Sequence, residues 1–85
     1  KQFLFESNEI TFGSMYKNDI TLIKDPKIPE YAFKINTESS TPFVVNDAYF
    51  SYLEVDNINV ETSQKLNSGS IITVGDTVLK FFTKE

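Results

Sequence analysis

Hydrophobic and polar residues alternate over most of this chain. Ile10 and Phe12 flank Thr11, Ile20 and Leu22 flank Thr21, and Tyr31, Phe33 and Ile35 alternate with Ala32, Lys34 and Asn36. Phe3 and Phe5 on either side of Leu4 start the pattern, and Phe43 with Val45, Leu53 with Val55, Ile72 with Val74 and Leu79 with Phe81 continue it. Side chains two residues apart share one face of an extended chain, so each stretch reads as a half-buried strand. The count of about eight or more short strands predicts an all-β fold, a β-sandwich of two mainly antiparallel sheets with short loops.

Turn-forming residues separate these stretches. They include Ser7-Asn8, Gly13-Ser14, Lys17-Asn18-Asp19, Asp25 to Pro29, Glu38 to Pro42 and Asn46-Asp47. Asp56-Asn57, Asn67-Ser68-Gly69 and Gly75-Asp76 follow. Their spacing leaves little room for a helix. Residues 46–66 are the least regular, and "DAYFSYLEVDNINVETSQKL" accommodates either an irregular strand pair or one helical turn.

Length changes the picture by allowing only one core. With 85 residues the chain is read as a single domain over 1–85, and chains of this size bury only about 60–65% of their unfolded surface. It starts at Lys1 rather than methionine, which is read as a fragment of a longer protein. No apolar run approaches the roughly 20 residues of a membrane span, so any anchor is expected outside this segment.

Charge and chemistry then remove most function classes. The net charge is −4, and the eight cations are all lysines spread from Lys1 to Lys84 without a basic stripe, which argues against nucleic acid as a partner. Catalysis finds neither histidine nor cysteine, only carboxylates. Asp19, Asp25 and Asp76 stand beside turns, where aspartate commonly accepts bonds from nearby backbone N–H groups, so no enzyme is expected. No metal is expected, because thiolate and imidazole ligands are missing and no D-x-D-x-D-G loop occurs. No cofactor is expected either, since Gly13, Gly69 and Gly75 stand singly rather than in a phosphate-cradling run.

Aromatic residues at alternating positions are read as core. Tyr49, Phe50 and Tyr52 cannot all share one strand face, so at least one of them should lie on the surface, either covering the end of the sandwich or meeting a partner.

Three segments together resemble the forkhead-associated (FHA) domain, a β-sandwich that usually reads phosphothreonine with loops at one end. In "ITFGSMYKNDITL", Gly13 and Asn18-Asp19-Ile20 match the family's glycine and its N-D-I turn. In "DPKIPEYAFKI", Asp25 and Ile28 match the approach to its serine and histidine loop. In "LNSGSIITVGDTVLKF", Leu66, Gly69, Ile71, Gly75, Asp76, Leu79 and Phe81 match its closing hairpin.

The departures fall on the phosphate-binding positions that the resemblance implies. Ser14 stands where the family has its arginine, Pro29 where it has its loop serine and Ala32 where it has its loop histidine. Arginine is absent from the chain altogether, and with it the bidentate fork suited to phosphate. Asp56-Asn57, which approximates the family's N-G, is expected to add a negative charge near the same loop end. Charge-assisted hydrogen bonds contribute about 1.5–3 kcal/mol each, so losing two or three would take a micromolar site beyond detection.

A degenerate FHA domain of this kind is similar to the cytoplasmic domain of the inner-membrane ring protein of type III secretion injectisomes, with Gly13-Ser14 the point of closest likeness. That resemblance implies a non-catalytic scaffold on the cytoplasmic side of the bacterial inner membrane. Its partners would be neighbouring copies in a homo-oligomeric ring and cytoplasmic sorting-platform proteins. The alternatives are a phosphothreonine-peptide reader and an FHA-like module of a type VII secretion ATPase. The candidate contact residues are those of the loop end: Ser14, Tyr16, Lys17 and Asn18, with Lys27, Ile28, Pro29 and Glu30.

Overall fold

In the computed structural model, which describes residues 6–22, 25–46 and 48–83, the alternating stretches become strands. In chain order they are β1 (Glu9–Gly13), β2 (Ile20–Thr21), β3 (Phe33–Asn36), β4 (Phe43–Val45), β5 (Leu53–Val55), β6 (Ile58–Asn59), β7 (Ser63–Lys65), β8 (Ile71–Val74) and β9 (Thr77–Lys80). They form a five-stranded sheet, β2-β1-β3-β4-β7, and a four-stranded sheet, β6-β5-β8-β9. All neighbours are antiparallel except β1 and β2. The expected all-β sandwich is therefore the fold. The strand read at Phe3 and Phe5 lies outside the described residues.

One core fills the space between the sheets. Ile10 and Phe12 from β1, Phe33 and Ile35 from β3, Leu53 and Val55 from β5, and Ile72 and Val74 from β8 all point inward. Burying such a side chain contributes roughly 1.5–3 kcal/mol. Phe12 and Phe33 are direct cross-strand partners, and their rings stack with centroids 4.3 Å apart. Ile28, Ala32, Phe50, Val60 and Leu66 extend the core from the connecting segments.

Register corrects one reading. Phe43 and Val45 were expected to face inward, but Val44 is the fully buried residue of β4 and Phe43 is 36% exposed. Val44 pairs with inward-facing Ile35 and Val45 with outward-facing Lys34, so the ladder turns the opposite face of β4 to the core.

The described residues of the 46–66 segment contain no helical turn. They form a turn at 48–52, the β5–β6 hairpin, and then β7, which crosses to the edge of the other sheet. The hairpin turn is Asp56-Asn57, both at positive φ (51° and 69°), the combination that a type I′ turn requires and that aspartate and asparagine tolerate. This turn lies beside Ile71 at the start of β8, where Asp56 Oδ1 accepts the Ile71 N–H at 2.9 Å. Asp56 is thus at the opposite end from residues 14–19, and the negative charge expected beside that loop is not there.

The strand directions gather residues 14–19, 25–32, 46, 48–52 and 75–76 at one end of the sandwich. β1 and β2 are parallel although only residues 14–19 connect them, much less than the crossover of about a dozen residues that parallel strands usually need. The loop manages this by doubling back along β1. Asp19 Oδ2 accepts the Thr11 N–H at 2.9 Å, and Asp19 N–H donates to Thr11 Oγ1 at 3.0 Å.

Candidate functional site

The loop end is built on hydrogen bonds that join one loop to the next. Ser14 N–H donates to the Pro29 carbonyl at 2.9 Å and Met15 N–H to the Glu30 carbonyl at 3.2 Å, so residues 14–19 and 25–32 lie side by side. Gly13 makes this approach possible. A Cβ there would run into the Glu30 carbonyl and come within 2.8 Å of Asn18 Nδ2.

Asn18 locks the two loops from below. Its side chain is buried, and Nδ2 donates to the carbonyls of Met15 at 2.8 Å and Glu30 at 2.7 Å. Its Oδ1 is buried without a hydrogen-bond partner. Asn46 does the equivalent for residues 46–52: Nδ2 donates to the carbonyls of Phe50 and Val60, and Oδ1 accepts the Phe50 N–H, each at 2.9 Å. The turn so held contains Tyr49 at φ 53°, a left-handed conformation that costs a tyrosine free energy. Phe50 is directed into the core and Tyr49 out to solvent.

Asp25 links the second loop to the β8–β9 turn. Its carboxylate accepts N–H bonds from Asp76 and Lys27, and these two bonds, Asp76 first, hold its pKa below the ordinary carboxylate value. Gly75, at φ 60°, has no room for a Cβ because the Asp25 carboxylate occupies that space. Lys27 Nζ lies 3.2 Å from Asp76 Oδ1 and 5.5 Å from the centre of the Tyr52 ring. The hydrogen bond to Asp76 raises the Lys27 pKa. Asp19 and Asp25 thus bond backbone N–H groups as turn aspartates, whereas Asp76 pairs with a lysine.

The candidate contact residues separate into two groups. Tyr16, Lys17, Lys27 and Glu30 are exposed and Ser14 and Pro29 half-buried, all at the loop end. Asn18 and Ile28 point inward and cannot present their side chains to a partner: the first is consumed by the loop-to-loop bonds and the second packs in the core at 4% exposure. Pro29 has no N–H and its carbonyl already accepts from Ser14, while Ala32 is fully buried with its N–H donated to Phe12. Of the three phosphate-binding positions implied by the resemblance, only Ser14 retains a side-chain donor.

Sequence reasoning missed the tyrosines as a set. All four in the chain, Tyr16, Tyr31, Tyr49 and Tyr52, lie at the loop end and are 53–79% exposed. Tyr31 was read as a core strand residue, but β3 starts two residues later and Ala32 takes the inward place. The surface position expected among Tyr49, Phe50 and Tyr52 is filled by both tyrosines, with Tyr52 set edge-on to buried Phe50 at 6.0 Å. The available signal was the division of labour between aromatics: a phenol hydroxyl needs a polar partner when buried, whereas Phe12, Phe33 and Phe50 do not.

No family model and no curated protein matches the sequence. Solved structures do match. The FHA domain of the CT664 protein from Chlamydia trachomatis is 19% identical, with a TM-score of 0.85 over 98% of this chain and 84% of that one. Mycobacterium tuberculosis EmbR, solved with a low-affinity phosphopeptide, is 15% identical with a TM-score of 0.77, covering 95% of this chain but only 22% of EmbR. The N-terminal FHA domain of S. cerevisiae Rad53p, solved with a phosphothreonine peptide, is 19% identical with a TM-score of 0.70, over 88% of this chain and 68% of that one. At these identities the likeness establishes the architecture, and the chain has the forkhead-associated fold.

Proposed function

We propose that this domain is a non-catalytic protein-interaction module that uses the loop end of its FHA fold without reading phosphate. The observation that carries this is the loop end itself, where Pro29 and Ala32 offer no side-chain donor and Lys27 is already matched by Asp76. A surface rich in exposed tyrosine suits contact with protein, because the ring supplies large, rigid contact area and the hydroxyl a hydrogen bond.

The assembly we propose for it is the inner-membrane ring of a type III secretion injectisome, on the cytoplasmic side of the bacterial membrane. The likeness of the Gly13-Ser14 segment to that group supports this reading. Neighbouring copies and sorting-platform proteins would be the partners. Tethering beside identical copies raises effective concentration, so contacts too weak for free association can still order a ring.

A second reading, a phosphothreonine-peptide reader, is favoured by the Ser14 hydroxyl with Lys17 nearby and by the phosphopeptide complexes of proteins with the same fold. Photo-crosslinking in the host cell separates the two. A crosslinker at Lys17 should capture neighbouring copies or secretion proteins equally before and after phosphatase treatment. Crosslinks that vanish with phosphatase, or that form only from the opposite end at Asn57, would contradict the proposal.

A further inference from the structure

The outer face of the four-stranded sheet is a second surface, apart from the loop end. Its strands pair so that Glu54, Thr73 and Val78 form one row across β5, β8 and β9, and Ile71 and Lys80 lie in the next. Leu53, Val55, Ile72, Val74 and Leu79 alternate with these residues and pack into the core, which turns the two rows outward. The ladder continues past β9. Phe81 N–H donates to the Ser70 carbonyl at 2.9 Å and the Phe81 side chain packs against the core, so Phe82 stands outward beside Lys80, whose Nζ lies 5.3 Å from the centre of its ring. Apart from the tyrosines, Val78 at 64% and Phe82 at 63% are the most exposed large hydrophobic residues among those described.

We infer that this face joins two copies of the chain across a two-fold axis, with Ile71, Thr73 and Val78 at the centre and Glu54 of each copy against Lys80 of the other. Residues 14–19 and 25–32 take no part in it, so the inference goes beyond the loop-end reading and does not depend on it.

Charge selects the occupant. Glu54 and Lys80 stand at opposite corners of the apolar centre, two strands and so about 10 Å apart. Among the described residues neither has an ion-pair partner. The carboxylates at the two ends of the face are already engaged: Asp56 Oδ1 accepts the Ile71 N–H at 2.9 Å, and Asp76 pairs with Lys27 at 3.2 Å. A two-fold rotation about an axis lying in the plane of the face, between Glu54 and Lys80, exchanges the two corners. Each copy then sets a carboxylate where the other sets an ammonium, and the match is made twice in one contact. A surface of a single charge sign, such as an anionic membrane, would satisfy one corner and oppose the other. An apolar centre flanked by charge is also the anatomy of a protein–protein contact.

The test is sedimentation equilibrium together with amide NMR of the chain over about 0.05–2 mM. A weak, reversible dimer is expected, with a dissociation constant on the order of 0.1–1 mM and concentration-dependent shifts at Glu54, Ile71, Thr73, Val78 and Lys80. Glu54→Lys and Lys80→Glu should each weaken self-association at least about fivefold, because each sets like charges opposite one another. An equimolar mixture of the two variants restores both pairs with reversed sign and should associate about as tightly as the unmodified chain, which also shows that both variants keep the fold. A monomer at every concentration, shifts confined to residues 14–18 and 27–31, or a mixture no tighter than either variant alone would overturn this inference. Each of these leaves the loop-end reading standing, since crosslinking from Lys17 tests that separately.

Discussion

Asn18 and Asn46 are both buried asparagines that pin a loop at the same end of the sandwich, yet they do so at different cost. Asn46, 3% exposed, has three good hydrogen bonds and no polar atom left over. Asn18, 7% exposed, donates twice to backbone carbonyls but keeps a buried Oδ1 with no partner. A fully satisfied buried amide stabilises what it holds, whereas a half-satisfied one gives back part of its gain as desolvation. The loop under Tyr49 is therefore expected to be the better anchored of the two.

Removing each amide measures that difference. Asn46→Ala strips partners from the carbonyls of Phe50 and Val60 and from the Phe50 N–H, and should lower stability by about 3 kcal/mol, read from the urea midpoint. That is a large share of the roughly 4–13 kcal/mol expected of a domain this size. Asn18→Ala leaves the Met15 and Glu30 carbonyls still bonded to the Asn18 and Met15 backbone N–H groups and eliminates the unpartnered Oδ1, so a smaller loss of about 1 kcal/mol is expected. Equal losses would mean that Asn18 Oδ1 carries no penalty.

Acid should act next, through Asp25, which ties the second loop to the β8–β9 turn. Its pKa is lowered by the N–H groups of Asp76 and Lys27, so the ionised form is the one the fold favours. That contribution is complete above the ordinary carboxylate value and disappears as the pH falls through the lowered one, in a window below about pH 4. Denaturation midpoints measured from pH 6 to pH 2 should therefore fall less steeply for Asp25→Asn, which should also be less stable at pH 6. The smallest effect is expected at Tyr49, where glycine accepts the positive φ without strain. Tyr49→Gly should raise stability by about 0.5 kcal/mol. A loss of stability would show that Asn46 does not hold Tyr49 under strain.

The fold was largely legible because its strands obey a period of two and its turns carry their own chemistry. Ile10, Phe12, Phe33, Ile35, Leu53, Val55, Ile72 and Val74 all face inward as their alternation implies. β7, Ser-Gln-Lys, was not legible, since it lies at a sheet edge and offers no apolar alternation. At β4 every residue is apolar, so the pattern could not choose a face and the register with β3 had to. At the site, sequence indicated which loops matter but not which side chains in them are spent. Asn18 and Ile28 look like loop residues, and only tertiary packing shows that one joins two loops and the other fills the core. The tyrosine set was hidden for the opposite reason, because Tyr31 continues a strand pattern that the backbone has not yet entered.

The account's central claim is that the FHA architecture here serves protein contact without phosphate. Its most direct test is a paired NMR titration of the chain with a phosphothreonine peptide library and the same peptides unphosphorylated. The account predicts no phosphate-dependent amide shifts up to about millimolar peptide, as expected after the loss of two or three charge-assisted hydrogen bonds. Saturable, phosphate-dependent shifts clustered at Ser14 to Asn18 and Lys27 to Tyr31 would contradict it and make lysine the residue that reads the phosphate.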